Sequence, residues 1–197
     1  MGNMTELPNW FLQAGVPKFF DRHLTEFRMQ EIHCLQIGAY KGDASVWLMQ
    51  NVLLNPKSTL TDVDTWGGSD DEFHYNLDWN EVEAAYDAQT AAYVENSQMI
   101  KIKSTSDAFF STKPVEMKYD FIYVDGDHDA VPVLKDGINA IESLKVGGIL
   151  AFDDYTWGGS LSVSKRPKAG IDAILQCYSD WIQVLEIGHQ VWVKKTS

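Results

Sequence analysis

The sequence predicts an α/β fold: a doubly wound, mostly parallel sheet that ends in a C-terminal antiparallel hairpin. Three observations carry this expectation. Short apolar runs alternate with stretches of helical length along most of the chain. Two of these runs, Phe121–Val124 and Gly148–Phe152, are apolar throughout, as strands covered on both faces must be. The tail carries two strand patterns, Ile182–Ile187 and Gln190–Val193, around Gly188-His189, which reads as a hairpin.

The elements follow in order. The first thirty or so residues form a helical extension, with Phe19, Phe20, Leu24 and Phe27 at helical spacing. Strand 1 is Ile32–Ile37, and a helix from Gly42 to Leu53 offers Val46, Leu48, Met49 and Val52 for packing. Strand 2 is Thr59–Val63, followed by an acidic, glycine-bearing loop and a helix over Asn80–Glu95. Strand 3 is Met99–Lys103, with a short helix beginning near Asp107. Strand 4 is Phe121–Val124. Asp129 suits the N-cap of the next helix, Pro132 is tolerated in its first turn, and Gly147-Gly148 ends it beyond Leu144. Strand 5 ends at Phe152, a Gly- and Ser-rich loop spans residues 155–168, and a helix covers Ile171–Tyr178. No linker interrupts the 197 residues, so the chain reads as one domain over 1–197.

Composition narrows the function. A net charge of −12 argues against a nucleic-acid backbone as partner, because phosphate contacts need basic surface. No apolar run approaches the roughly 20 residues of a membrane span, and the N-terminus lacks a basic-then-apolar leader. With two cysteines, Cys34 in an apolar strand pattern and Cys177 in a helical one, the expectation is a cytoplasmic protein with reduced, buried thiols. A small-molecule partner fits this balance; the oligomeric state is open.

The chemistry concentrates just past the strands. Asp125-Gly126-Asp127-His128 follows strand 4 and Asp153-Asp154 follows strand 5. Acids beyond the carboxyl ends of parallel strands converge on one crevice. Several carboxylates beside an imidazole suggest a cation site with a proton acceptor. Strand 1 runs into Gly38-Ala39-Tyr40-Lys41-Gly42, a turn whose glycines let backbone approach a ligand. The spacing G-x-x-x-G departs from the G-x-G-x-x-G of pyrophosphate-binding turns, which disfavours a nicotinamide or flavin dinucleotide. Asp64, at the end of strand 2, is placed to hydrogen-bond ribose hydroxyls, with Asp62 expected to face elsewhere. Ser106 or Asp107 is placed to touch an adenine edge, or to cap the short helix.

Together, Leu35-Gln36-Ile37-Gly38-Ala39-Tyr40-Lys41-Gly42, Val63-Asp64-Thr65-Trp66, the stretch from Asp120 to His128 and the stretch from Gly147 to Tyr155 form an ordered set. This set resembles class I S-adenosylmethionine-dependent methyltransferases with a Rossmann-like methyltransferase fold. Within that class it is similar to the macrocin O-methyltransferase-like subgroup, which methylates small molecules. The resemblance implies S-adenosyl-L-methionine as cofactor, contacted by Gln36, Gly38, Ala39, Tyr40, Gly42, Asp64, Ser106, Asp107 and Asp125. It also implies a divalent ion, Mg2+, on Asp125, Asp153 and Asp154, with His128 as proton acceptor for a small-molecule hydroxyl. Gln36 is a departure, since the family often has Glu there to support the methionine ammonium. The competing reading is an S-adenosylmethionine-binding protein without transfer activity.

Thr-Trp-Gly-Gly-Ser occurs at Thr65–Ser69 and again at Thr156–Ser160. Trp66 and Trp157 are expected either to line the site or to pack against the helix layer. Asp127 is assigned to the turn. Lys165, Arg166 and Lys168 read as surface charge. His33, His74 and His189 stand in no comparable context, although His74 lies in a loop able to reach the crevice; His23, within the N-terminal helical stretch, reads as a surface residue.

Overall fold

The computed structural model describes residues 7–68 and 77–197. His74 and Ser69, singled out above, lie outside the described residues. Seven strands form one sheet: β1 (His33–Ile37), β2 (Thr59–Asp64), β3 (Met99–Lys103), β4 (Tyr119–Val124), β5 (Leu144–Phe152), β6 (Ile182–Ile187) and β7 (Val191–Lys195). Their order is β3-β2-β1-β4-β5-β7-β6. The first five are parallel, and β7 inserts antiparallel between β5 and β6. The chain reverses its direction of travel across the sheet between β1 and β4, and a ligand crevice forms at such a switch.

Helices α1 (Trp10–Gln13), α2 (Pro17–Leu24), α3 (Asp43–Asn51), α4 (Trp79–Glu95), α5 (Ser106–Thr112), α6 (Ala130–Ser143) and α7 (Pro167–Cys177) cover the two faces. Strand alternation sorts the core. Phe121, Tyr123 and Trp192 face α2, α3 and α4, whereas Ile122, Val124 and Val193 face α6 and α7. The N-terminal extension is therefore part of the core. Phe20 is fully buried and meets Trp47, Phe121, Tyr123 and Trp192 edge-on, with centroids 5.0–5.7 Å apart. Burying one such ring contributes about 1.5–3 kcal/mol.

Helices α6 and α7 cross at glycines. A Cβ on Gly170 would lie 2.4 Å from the Ala130 carbonyl oxygen, and one on Gly137 would lie 2.8 Å from Ile174. No helix among the described residues is long and apolar enough to cross a membrane.

Four local expectations need correction. Gly147-Gly148 does not end α6; it lies inside β5, at the irregularity where β4 and β5 change register between Tyr119 and Phe121. Asp129 occupies the N-cap of α6 without a side-chain capping bond, because its carboxylate accepts from Lys165 Nζ at 2.7 Å. Helix α7 begins four residues early, with Pro167 at its first turn, where a missing N–H costs nothing. Cys177 is exposed at the end of α7, while Cys34 is buried as expected.

Candidate active site

The glycine turn is set by how closely three strand ends approach. Gly38 N–H donates to the Val63 carbonyl at 2.9 Å, and Asp125 N–H donates to the Ile37 carbonyl at 2.8 Å. Gly38 has φ +84°, and a Cβ there would sit 1.9 Å from the Asp125 carbonyl oxygen. Only glycine fits. Tyr40 next to it also holds a positive φ, +49°, which a side chain rarely adopts.

Asp64 holds that backbone in place. Its Oδ2 accepts from Ala39 N–H at 2.7 Å and from Tyr40 N–H at 2.9 Å, and its Oδ1 accepts from Trp66 N–H at 2.7 Å. A carboxylate offers about four acceptor positions, so about one remains for a further donor. Gln36 braces the turn from below: it is buried, its Nε2 donates to the Gly38 carbonyl at 2.8 Å, and its Oε1 accepts from Ser45 Oγ at 3.3 Å. Both ends of the amide are thus engaged within the turn.

Two expected cofactor contacts are not part of the cavity wall. Gly42, with φ +90° at the N-cap of α3, is glycine for packing: a Cβ would come within 3.0 Å of Tyr86. Asp107 turns outward and its carboxylate accepts from Lys135 Nζ at 3.1 Å. Ser106 does line the cavity, while Thr105 caps α5 by accepting from Ala108 N–H at 3.2 Å. Asp136 on α6, which the sequence pattern did not single out, also lines it; burial pushes its carboxyl up to about 6.

Asp62 does not turn away by alternation, since residues two apart share a face. It is buried, accepts from the Tyr86 hydroxyl at 2.8 Å, and burial pushes its carboxyl up to about 7.

The acidic half of the site lies past β4 and β5. Asp127 Oδ1 accepts from Asp129 N–H at 2.7 Å, which shapes the turn. Asp125, Asp153 and Asp154 face one cavity. Burial, reinforced by repulsion from Asp153 and Asp154 on Asp125 and from Asp154 on Asp153, pushes both carboxyls above the usual carboxylate range.

Asp153 is fixed by a chain of polar groups beneath it. Trp192 Nε1 donates to Gln190 Oε1 at 3.0 Å, Gln190 Nε2 donates to the Tyr123 hydroxyl at 3.2 Å, and that hydroxyl donates to Asp153 Oδ2. Asp154 carries a positive φ of +56°, a strained conformation of the kind that collects at functional sites. His128 Nε2 lies 3.1 Å from Asp154 Oδ2, and its ring sits 4.2 Å from that of Trp157.

Trp157 therefore lines the site, whereas Trp66 does not. Trp66 is buried, donates its Nε1–H to the Tyr40 carbonyl at 2.8 Å, and packs against Tyr86 and Lys101. Lys165 and Lys168 pair with Asp129 and Asp172 on the surface.

The group of donor atoms with ligand spacing differs from the expected one. Among the described residues, Asp153, Asp154 and His189 bring one donor atom each within 4.8 Å of the others, and Asp125 is not in this group. His189 arrives on the turn between β6 and β7, next to β5 only because β7 inserts there.

The two halves face each other across a cavity of about 530 Å³. That volume lies within the range of roughly 300–1,000 Å³ typical of small-ligand sites. Asp43, Asp64, Asp136 and the four acids past β4 and β5 (Asp125, Asp127, Asp153 and Asp154) give it a negative wall. Trp10, Tyr40 and Trp79 form an aromatic wall, with Trp10 stacked on Tyr40 at 4.5 Å.

This sheet order, with a glycine turn after β1 and an acid after β2, is the class I S-adenosylmethionine-dependent methyltransferase fold. Residues 35–155 match the family described as methyltransferase domain, the same span over which the motifs run. The chain belongs to that family and is an S-adenosylmethionine-dependent methyltransferase. No curated protein matches its sequence.

Solved structures are similar in fold. A protein of Klebsiella pneumoniae described as an O-methyltransferase shares 12% identity at a TM-score of 0.71, over 97% of this chain and 84% of that one. An O-methyltransferase from Bacillus cereus, solved with S-adenosylhomocysteine, shares 13% identity at a TM-score of 0.65, over 91% and 80%. The MycE methyltransferase of the mycinamycin biosynthetic pathway, solved with Mg and S-adenosylhomocysteine, shares 14% identity at a TM-score of 0.59, over 91% and 49%.

Proposed function

We propose that the protein transfers the methyl group of S-adenosylmethionine to a hydroxyl of a small molecule, assisted by a divalent cation. The observation that carries this reading is the position of the His128–Asp154 pair, across one cavity from the Gly38 turn. S-adenosylmethionine is cationic at its sulfonium and ammonium, so the negative wall favours it. The Gly38 turn takes the methionine end, and Asp64 and Ser106 take the ribose and adenine.

Two adjacent carboxylates and an imidazole, with Asp125 facing the same cavity, suit a divalent ion. When bound, such an ion supplies Lewis-acid activation of the acceptor oxygen. The neighbours solved with S-adenosylhomocysteine and with Mg support the reading by analogy.

The chain's own residues supply the rest. His128 accepts the proton of the acceptor hydroxyl, and the Asp154 carboxylate stabilises the imidazolium that forms. Trp157 covers the imidazole and limits water. The methyl group passes from sulfur to oxygen as the C–S bond breaks and the C–O bond forms.

Holding donor and acceptor in line is worth about 7–11 kcal/mol. General-base assistance adds about 10²–10⁴-fold, or about 3–5 kcal/mol at about 1.36 kcal/mol per tenfold. Positioning dominates. A scaffold that only bound cofactor would need neither His128 nor its carboxylate partner.

Calorimetry with S-adenosylhomocysteine tests the donor: saturable binding is expected, and none at millimolar ligand would count against it. A screen of hydroxyl compounds with and without added Mg2+ then tests transfer. Activity should fall on chelation and in Asp153→Ala; full activity in chelator would remove the metal from the reading.

A further inference from the structure

We infer that His189 is a metal-ligating side chain, and that with Asp153 and Asp154 it forms a mixed oxygen and nitrogen donor set suited to a borderline divalent ion. This rests on the metal-assisted reading above and deepens it by naming a ligand that the strand-end acids do not supply.

The distances carry the argument. His189 Nε2 lies 3.4 Å from Asp154 Oδ1 and 3.8 Å from Asp153 Oδ1. Both are too long for an N–H···O hydrogen bond, which falls at about 2.7–3.2 Å. Both suit two donors on one ion. At metal–ligand bonds of about 2.1 Å, neighbouring ligand atoms in an octahedron lie about 3.0 Å apart and opposite ones about 4.2 Å.

The rest of the imidazole is arranged as a ligand's should be. Its Nδ1 lies 3.1 Å from Thr156 Oγ1, which leaves Nε2 turned to the carboxylates. A second partner on the far nitrogen is the usual way a ligating histidine is oriented. The backbone is tied down as well: the His189 carbonyl accepts from Tyr155 N–H at 2.8 Å, which fastens the hairpin turn to the loop after β5.

Asp154 is shared between two imidazoles, its Oδ1 toward His189 and its Oδ2 toward His128. The two histidines thereby take separate duties, ligation and proton transfer. An all-oxygen site would favour Mg2+, Ca2+ or Mn2+, whereas an added imidazole raises affinity for borderline ions such as Co2+ and Zn2+.

Pulsed electron paramagnetic resonance on the full chain loaded with Mn2+ reads ligation directly. An imidazole nitrogen coupling is expected in the wild type and in His128→Ala, and its loss is expected in His189→Ala. Calorimetry should show Co2+ affinity falling about 10–100-fold in Thr156→Val, the cost typical of losing a ligand's outer partner, and further in His189→Ala, with Mg2+ affinity changing much less. Unchanged S-adenosylhomocysteine affinity in each variant confirms an intact fold.

Mn2+ binding without nitrogen coupling, or a coupling that survives His189→Ala, would overturn the role of His189 and leave the metal reading standing. Absence of Mn2+, Co2+ and Mg2+ binding in the wild type would overturn both.

Discussion

Replacing His128 by alanine is expected to lower kcat by about 10²–10⁴-fold, the range of general-base assistance. The affinity for S-adenosylhomocysteine should not change, because the imidazole sits by Asp154 and Trp157 while the Gly38 turn is held by Asp64 and Gln36. Activity measured with a hydroxyl acceptor, beside calorimetry, separates the two quantities. A parallel loss of cofactor affinity would assign His128 to binding instead. Raising the pH offers a second check. An acceptor that ionises by itself at high pH no longer needs a base, so the deficit of His128→Ala should shrink as pH rises.

The second large effect is expected at Gly38. Gly38→Ala adds a Cβ only 1.9 Å from a backbone oxygen that cannot rotate away. The ends of β1 and β4 must separate to admit it, and both belong to the cavity wall that the proposed function assigns to the cofactor. The positive φ alone costs about 1–2 kcal/mol for a residue with a side chain. The clash adds to that, so cofactor affinity should fall by more than about tenfold, each tenfold being about 1.4 kcal/mol. Gly147→Ala is the control. Gly147 has a similar φ, +85°, yet nothing lies within 4 Å of the added Cβ. Thermal denaturation should show a modest loss for Gly147→Ala and a larger one for Gly38→Ala. Equal losses would mean that backbone conformation, not the closeness of the strand ends, explains the glycine.

Much of the site could be read from the sequence because its chemistry follows strand ends in chain order. Phe121–Val124 and Gly148–Phe152 are apolar enough to mark buried strands. The acids after them therefore had to meet, and Asp125, Asp153 and Asp154 do face one cavity. Gly38 was legible for the same reason.

What escaped the sequence depends on partners distant along the chain. His189 looked ordinary because nothing local reveals that β7 inserts beside β5. Gln190 and Trp192 are polar and aromatic residues in a tail strand; only the fold puts them under Tyr123 and Asp153. Trp66 and Trp157 share a pentapeptide yet part company, since one meets the Tyr40 carbonyl and the other meets His128. Asp129 had the right residue type for a cap, but Lys165, far along the chain, competes for its carboxylate.

Helix α1 has a consequence for how the protein can be followed in solution. It has four residues, far below the roughly 12–15 at which a helix persists by itself. Its order is borrowed from Trp10 on Tyr40 and from Phe11 on Phe20 and Trp47. Trp10 and Phe11 also form part of the cavity wall. Amide hydrogen exchange along this short segment therefore serves as a gauge of occupancy: it should slow when a ligand fills the cavity, with no attached tag or reporter group.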